Sequence, residues 1–404
     1  MADQIYIVDE LAVGPETVTV IDDGSGIDWL AFSNAIYASP TDIRLGWTTE
    51  DGSATSATGF FFITGNDGRR LVVEGLIENV RASNGVDAIQ GNEVANLIYG
   101  DQTTSGLVGG NDTIGAGAGN DTVYGGSGDD SADGGADNDL LFGNRGNDTI
   151  SGGAGRDTVN GGIGADSLSG GASDGDTVSY AGSTAGVTVR ITFGSTSTGA
   201  GGDATGDQLN GFDAVIGSNF DDILVDTVKG TVAFGGNDNV FAGAIGNDTL
   251  RLGGGDDRGD GGLGNDMLFG EDGNDSLSGA GGADTLTGGL GQDRLNGGTG
   301  ADQFVFTTRS HSTTDAAGRD IIVDFSHTAH DKIDLRAIDA IAGGVNNQFS
   351  FVGRATFSGT AGELRLNDTG ANIIVQVDIN GDKTADFAIM VLDVTTLFAG
   401  DFLL

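Results

Sequence analysis

Regularly spaced aspartates are the residues of this chain with the clearest chemical potential. They are nine residues apart in each of two arrays, and the second array gains one residue after its first member. The fifteen positions are Asp112, Asp121, Asp130, Asp139, Asp148, Asp157, Asp166, Asp238, Asp248, Asp257, Asp266, Asp275, Asp284, Asp293 and Asp302. Calcium accepts roughly six to eight oxygens from carboxylates and backbone carbonyls. Carboxylates at a fixed spacing therefore predict a row of cation sites.

The residues around each aspartate define a repeat, G-G-x-G-x-D-x-U-x, in which U is apolar. Position U is large and apolar in thirteen of the fifteen copies, and Ala132 and Gly259 are the exceptions. A hairpin turn explains one copy, but a flexible linker has no reason to keep an apolar residue at a fixed phase. The repeats therefore predict an ordered structure.

A period of nine residues fits a turn of about six residues followed by a strand of about three. Two such units form one coil of a flattened solenoid, with parallel sheets on two sides and one apolar residue per unit pointing inward. Glycines permit the positive φ angles of the turns. The predicted fold is all-β: a right-handed parallel β-roll in two arrays, with a β-rich C-terminal domain.

Stacked coils place aspartates of alternate units about 5 Å apart, the spacing of paired strands. Each pair then repels by roughly 0.8 kcal/mol even at the dielectric of water. The two arrays hold ten such pairs, which sum to roughly 8 kcal/mol, similar to the whole stability of a typical domain. The bare roll is not expected to fold, whereas roughly ten bound Ca²⁺ ions reverse the sign of this energy and couple binding to folding.

The overall composition restricts the possible partners. The chain has 404 residues, with 75 Gly, 2 Pro, no Cys and a net charge of −41, and its acids are 51 Asp and 8 Glu. Without cysteine there are no disulfides or thiolate metal sites. A polyanion is repelled by nucleic acid and anionic membranes. The N-terminus lacks a signal-peptide pattern and no apolar run predicts a membrane span, so we expect another export route.

The two arrays look like a duplication. "NDLLFG" at 138 matches "NDMLFG" at 265, and "DDSADGG" at 129 matches "DDRGDGG" at 256. We therefore predict five segments. They are a β-rich lead-in or cap (1–77), the first array (78–174), a second lead-in (175–234), the second array (235–303) and a C-terminal domain (304–404).

Residues 75–302 resemble the RTX, or haemolysin-type, calcium-binding β-roll proteins. This resemblance implies that each turn serves two ions. Its second and fourth residues act with the aspartate on one side, and its first and third residues act with the aspartate on the other. The carbonyl ligands implied besides the aspartates are those of Gly117, Gly119, Gly126, Gly128, Gly134, Ala136, Gly143, Gly152, Ala154, Gly161, Gly253, Gly255, Gly262, Gly264, Gly270, Gly279, Gly281, Gly288 and Gly297. Where Asn144 or Glu271 replaces glycine, we expect a strained turn.

The C-terminal stretch resembles the domain that follows the β-roll in serralysin-type secreted proteases. The matching segments are "GADQFVF" at 300, "DIIVDFSHTAHDKIDL" at 320, "AGELRL" at 361 and "DINGDKTADF" at 378. The resemblance implies an uncleaved type I secretion signal ending in Asp401–Leu404, a type I secretion apparatus as partner, and an extracellular or cell-surface location. Within "DINGDKTAD", Asp378, Asn380, Asp382 and Asp386 are spaced either as a cation loop or as an Asx-rich turn.

Catalytic motifs are missing from the sequence. There is no H-E-x-x-H and no cysteine, and the G-x-S-x-G match "GASDG" at 171 lies in the glycine-rich repeats, where no strand-to-helix nucleophile elbow is predicted. The three histidines are His311, His327 and His330. We therefore expect a non-enzymatic, calcium-folded extracellular matrix, surface, adhesion or signalling component, with extracellular polysaccharide or a cell surface as a candidate partner.

The alternative function is a glycan-active enzyme or accessory module similar to alginate epimerases, whose R-modules carry the same repeats. It would use acids and aromatics of the first lead-in. The candidates are Asp28, Trp29, Tyr37, Trp47 and Asp51. An ordinary core with turns is the other interpretation of these residues.

The first prediction concerns calcium-dependent folding. We expect a disordered chain in chelator that gains β-structure at about 0.1 to 1 mM Ca²⁺, the range of extracellular modules. Circular dichroism measures the transition. A spectrum that chelator leaves unchanged would contradict the coupling of folding to calcium.

Overall fold

The computed structural model describes residues 79–82, 85–101, 109–171, 175–192, 196–227, 238–341 and 348–404, and the backbone of six strands before residue 79. Two compact units are present. One comprises residues 1–182 and 195–214, and the other comprises residues 183–194 and 215–404. Apart from two one-turn 3₁₀ helices, Gly202–Ala204 and Ala399–Asp401, the regular elements of the described residues are β-strands.

Most strands are short, with three to six residues, and they follow one another closely along the chain. In chain order they are β1 (Ile5–Val8), β2 (Val18–Ile21), β3 (Trp29–Phe32), β4 (Asp42–Leu45), β5 (Phe61–Ile63), β6 (Arg70–Glu74), β7 (Asn79–Arg81), β8 (Ala88–Gln90), β9 (Leu97–Tyr99), β10 (Thr113–Ala118), β11 (Thr122–Ser127), β12 (Ser131–Ala136), β13 (Leu140–Arg145), β14 (Thr149–Ala154), β15 (Thr158–Ile163), β16 (Ser167–Gly171), β17 (Thr177–Ser179), β18 (Thr188–Ile191), β19 (Ser197–Ala200), β20 (Gln208–Asn210), β21 (Ala214–Ile216), β22 (Ile223–Asp226), β23 (Val240–Ala242), β24 (Thr249–Arg251), β25 (Arg258–Leu263), β26 (Met267–Asp272), β27 (Ser276–Gly281), β28 (Thr285–Leu290), β29 (Arg294–Asn296), β30 (Gln303–Val305), β31 (Ile321–Ile322), β32 (Lys332–Asp334), β33 (Ser350–Gly353), β34 (Glu363–Asp368), β35 (Ile373–Asp378), β36 (Phe387–Val391) and β37 (Phe402–Leu403).

In the first unit, consecutive strands alternate between two parallel sheets. One sheet runs β7–β9–β11–β13–β15–β17, and the other runs β8–β10–β12–β14–β16–β20. In the array, Thr122 pairs with Leu140 and Thr113 with Ser131, so one coil contains two nine-residue repeats. This arrangement confirms the parallel β-roll predicted from the period.

The second unit repeats the plan and extends it beyond the glycine-rich repeats. Its sheets run β23–β25–β27–β29–β31–β36 and β18–β22–β24–β26–β28–β30–β32–β37. Strands β34, β35 and β36 form an antiparallel meander on the first of these sheets. The C-terminal residues therefore continue the sheets of the roll, and the five predicted segments stay a prediction.

The core is a single row of apolar side chains from each sheet. Leu141, Val159, Leu268 and Leu286, each two residues after a repeat aspartate, are fully buried. At the exceptional Gly259, a methyl carbon would lie 3.1 Å from a Leu252 methyl and 3.3 to 3.5 Å from methyls of the neighbouring leucines of the row. Leucines around the glycine therefore fill the space of its missing side chain.

The strands of the arrays are longer than the predicted three residues. β13 has six residues, and Asn144 and Arg145, which belong to the turn, pair with Gly126 and Ser127 one coil earlier. Turns stacked in register can extend the ladder of hydrogen bonds, and this satisfies backbone groups that a loop would leave to water.

The second prediction concerns the core. Leu268→Ala removes a fully buried side chain and should lower the free energy of unfolding by about 2 to 5 kcal/mol. Urea unfolding in excess calcium measures this loss. Met267→Ala is the matched control, because Met267 is 47% exposed and should change little. Equal losses in the two variants would show that the row is not the core.

Candidate metal centre

Each repeat aspartate uses one carboxylate oxygen to join two coils. Oδ1 of Asp130 accepts the backbone N–H of Asp112 at 2.8 Å, and Oδ1 of Asp148 accepts that of Asp130 at 2.8 Å. All ten pairs predicted at a spacing of eighteen residues make this bond. Asp157 bonds to Asp139 two repeats earlier and not to its sequence neighbour Asp166. Alternate aspartates therefore form separate rows, as predicted.

The other oxygen of these carboxylates is buried and receives no hydrogen bond from the protein. It is the Oδ2 atom of Asp112, Asp121, Asp130, Asp139, Asp148, Asp157, Asp166, Asp248, Asp257, Asp266, Asp275, Asp284, Asp293 and Asp302. A buried anionic oxygen without a partner is strongly unfavourable. A bound cation is the group that would satisfy it.

Backbone oxygens lie beside these unpaired atoms. A methyl carbon built on Gly143 would fall 2.2 Å from Asp148 Oδ2 and 2.5 Å from the carbonyl oxygen of Gly161, one coil further on. Around Gly270 the corresponding distances, to Asp275 Oδ2 and the Gly288 oxygen, are 2.2 and 2.4 Å. The first glycine of the turn therefore keeps open a space that a carboxylate and a carbonyl oxygen border together, and this donor set fits Ca²⁺.

The other implied carbonyls lie between the same coils. A methyl carbon on Gly153 would meet the Gly135 oxygen at 2.2 Å, so the second residue of one turn directs its carbonyl at the next coil. The third-position carbonyl of Gly281 faces the opposite way and accepts the N–H of Gly264 at 2.7 Å. The structure thus brings second and third positions to one gap between coils. Their coordination of calcium stays a prediction.

Turns without glycine at the second position adopt the expected strained backbone. Asn144 and Glu271 have φ values of 75° and 76°, in the left-handed region that disfavours side chains. The expectation of strain at these two turns is confirmed.

The structure corrects the repeat register that was predicted at the ligand candidate Asp238. Asn239, not Asp238, occupies the aspartate position, because its N–H donates to Asp257 Oδ1 at 2.7 Å. Asp238 is exposed and accepts the N–H of Asp256, and the buried apolar residue is Phe241 rather than Val240. The nine-residue spacing therefore continues without an inserted residue. The sequence "NDN" hid this register because asparagine can take either place.

Aspartates outside the repeats extend the carboxylate rows and were missed as site residues. Asp207 Oδ1 accepts the N–H of Asp166, forty-one residues earlier, and Asp320 Oδ1 accepts that of Asp293. Others in the same role are Asp176, Asp222 and Asp331. Each is followed two residues later by a buried apolar residue, so the shorter signal D-x-U would have found them without the glycines.

A second row of side chains was also missed. The residue before each repeat aspartate is often Asn or Asp, and it caps the coil that follows: Asp129 Oδ1 accepts the N–H of Asn147, and Asn147 Oδ1 accepts that of Ala165. The repeat aspartates instead accept N–H groups of the coil that precedes them. Adjacent side chains therefore hold each coil in opposite directions.

Burial raises the pKa of the repeat carboxyls. The pKa is about 9 for Asp112 and about 8 for Asp148 and Asp275, and repulsion by neighbouring aspartates adds to the effect of burial. Hydrogen bonds from backbone N–H groups oppose it. The metal-free fold therefore disfavours the ionised carboxylates.

The remaining candidate loop is closed by its own hydrogen bonds. Asp378 accepts the N–H of Gly381 at 2.7 Å and that of Lys383 at 2.9 Å, and Asp386 accepts that of Ile379. This favours the Asx-rich turn over the cation loop. Within the described ranges, no three His, Asp or Glu side chains gather into a cluster, so ligand sets need backbone oxygens. No helix in the described part of the chain is long and apolar enough to cross a membrane.

The fold and the carboxylate rows define a calcium-binding RTX β-roll protein. Residues 63–404 match the family described as peptidase M10 serralysin C terminal. The chain belongs to this family, whose members bind calcium and are secreted by the type I system. A search of curated proteins gives no match.

Two of the solved structures that resemble part of this chain come from Azotobacter vinelandii and Serratia marcescens. The AlgE6R2 subunit of the Azotobacter vinelandii mannuronan C5-epimerase is 26% identical, with a TM-score of 0.24, covering 47% of this chain and 91% of that one. The extracellular lipase LipA of Serratia marcescens is 18% identical, with a TM-score of 0.25, covering 77% of this chain and 45% of the lipase. At these TM-scores the likeness adds nothing to the family assignment.

The third prediction concerns pH. Because the carboxyl pKa values are higher in the metal-free fold than the ordinary value of about 4, the fold binds more protons than the unfolded chain between about pH 4 and 8. The stability of the metal-free fold should therefore rise as pH falls from about 8 to about 5, and this gain in stability should be lost as pH rises again. Circular dichroism of the calcium-free chain measures this change. Constant or falling β-content on acidification would contradict it.

Proposed function

We propose that this chain is a non-enzymatic extracellular protein that folds on calcium and then acts through its surface, as a matrix, surface, adhesion or signalling component. The observation that carries the proposal is the series of buried Oδ2 atoms without hydrogen-bond partners. Such atoms make the metal-free roll unfavourable, so folding depends on cations. Calcium is abundant outside cells and scarce inside, and this difference gives folding a direction.

We propose the following ligands for an ion in one gap between coils. Asp148, with the carbonyls of Asn144 and Gly146, faces the following turn, which offers Asp166 and the carbonyls of Gly161 and Ile163. Bound calcium would supply positive charge that neutralises the carboxylates and joins successive coils. With one ion for each of the ten aspartate pairs, roughly ten ions bind and offset about half of the net charge of −41.

Surface action is favoured over catalysis by the groups that are present. The described histidines do not form a catalytic pair: His327 bonds to Asp401, and His311 contacts Thr307. The residues suggested for glycan chemistry, Asp28, Tyr37, Trp47 and Asp51, lie outside the described residues, and only the strand backbone is described for Trp29. No described feature supports the enzyme alternative.

The fourth prediction tests the carboxylate role with two adjacent aspartates. Asp257→Asn removes charge from a buried carboxylate whose Oδ2 is unpaired. Asp256→Asn removes the same charge from an exposed side chain, and asparagine can still accept the hydrogen bond that Asp256 receives from the Asn274 N–H. We expect the calcium midpoint of folding to rise about threefold or more for Asp257→Asn and to change little for Asp256→Asn. Circular dichroism against free calcium measures both midpoints. Equal shifts would point to general charge and overturn the site.

A separate assay tests the absence of catalysis. The calcium-loaded chain is incubated with acidic and neutral extracellular polysaccharides, and viscosity and new reducing or unsaturated ends are followed. Turnover that depends on calcium loading would refute the non-enzymatic part and leave the folding mechanism untouched.

A further inference from the structure

The first turn of the first array contains an aspartate that the repeat does not require. Asp112 accepts the N–H of Asp87 across twenty-five residues, seven more than the eighteen of later coils. The Gly100 N–H donates to the Tyr124 carbonyl, as the first residue of a turn does. Gly100 and Asp101 therefore occupy the first two turn positions, and Gly109 and Gly110 occupy the third and fourth.

The Asp101 side chain lies inside the roll. It is 2% exposed, and its Oδ2 accepts the N–H of Ser127, one coil further on, at 2.7 Å. A methyl carbon on Gly126 would fall 2.4 Å from this oxygen, and one on Gly109 would fall 1.9 Å from it. The backbone N–H of Gly110 lies near the carboxylate, yet Oδ1 receives no hydrogen bond. A buried charge is thus left partly unsatisfied.

The same region contains the donor set of a regular site. A methyl carbon on Gly100 would lie 2.5 Å from Asp112 Oδ2 and 2.3 Å from the carbonyl oxygen of Gly125. Oδ2 of Asp112 and of Asp130 are both unpaired. The Asp101 carboxylate is close enough to repel both. The charge of a third buried carboxylate therefore acts on the two aspartates of this gap.

In the other described turns of the arrays, the second position does not have a buried carboxylate with an unpaired oxygen. Asn144 and Gly162 occupy the second position in the coils that follow Gly126. Glu271 has a carboxylate at the second position, but it forms an ion pair with Arg251 at 3.4 Å and is partly exposed. Asp101 is therefore distinguished by both its charge and its burial.

We propose that Asp101 is a calcium ligand outside the repeat, which makes the gap between the first turn and the turn ending at Asp130 the tightest site of the first array. This inference rests on the proposed calcium-dependent folding. Affinity for calcium rises with the number of charged ligands. The first array then begins to order at this gap as calcium rises, and the later coils add to it.

A purely structural role is the competing explanation. In a regular turn the third N–H donates to the second-position carbonyl one coil earlier, as Leu263 does to Ala244 at 2.8 Å. At Ser127 the Asp101 side chain takes the place of that carbonyl. An asparagine at position 101 retains an oxygen that can accept the Ser127 N–H. Asp101→Asn therefore removes the charge and keeps this hydrogen bond.

The fifth prediction compares Asp101→Asn with Asp129→Asn. Asp129 is exposed and belongs to the facing turn. Its side chain accepts the backbone N–H of Asn147, and asparagine accepts the same kind of hydrogen bond in other coils. Isothermal titration with Ca²⁺ should show the tightest site of the first array weakened about tenfold or more by Asp101→Asn and changed less than about twofold by Asp129→Asn. In hydrogen exchange at low calcium, residues 97–101 and 109–127 should gain protection first in the wild type and lose that lead in Asp101→Asn.

The outcomes separate this inference from the proposed function. A wild-type chain that does not fold on calcium refutes the proposed function itself. A wild type that folds, with Asp101→Asn matching Asp129→Asn, overturns the Asp101 site alone. If Asp101→Asn does not fold at any calcium concentration, Asp101→Glu decides. A glutamate variant with the wild-type order of protection supports the charge, and one that also fails to fold assigns Asp101 a structural role and overturns the proposal.

Discussion

The buried carboxylate oxygen between stacked turns is the feature on which the rest of this structure depends. Each coil contributes a few apolar side chains to a thin core, while glycine raises the entropy cost of ordering the chain. Each gap also buries an unpaired anionic oxygen, such as Oδ2 of Asp148. The sign of that local energy decides whether the roll forms, and a divalent cation changes the sign. The negative charge is thus both the obstacle to folding and the means of controlling it.

Glycine has two different physical roles in the turns. Gly264 has a φ of 139°, and a methyl carbon there would lie 1.5 Å from the Gly246 oxygen, so both backbone and space require glycine. Gly143 is needed because a side chain would displace the Asp148 carboxylate from the gap. Asn144 tolerates its left-handed backbone because its side chain can lie outside that gap. Substitutions are therefore expected to concentrate at positions of strain rather than at positions beside the carboxylates.

Two rows of side-chain hydrogen bonds also specify the register of the coils. The Asn or Asp that often precedes a repeat aspartate caps the following coil, and the aspartate caps the preceding one, as Asp129 and Asp130 do. A slip of one residue would break both rows and turn the apolar row outward. The dipeptide Asn-Asp thus encodes alignment as well as charge, and alignment is what brings carbonyls and carboxylates to one gap.

The sequence alone determined the β-roll, the inward row of apolar residues and the ten aspartate pairs, because each follows from a local period of nine residues. It did not distinguish Asn239 from Asp238, since a one-residue shift in "NDN" leaves the local pattern nearly unchanged. It also did not place Asp101 or Asp207, because inserted residues change the distance along the chain without changing the register of the coils. Backbone pairing in three dimensions decided these positions: the N–H of Asp166 meets Asp207 across forty-one residues as readily as that of Asp148 meets Asp166 across eighteen.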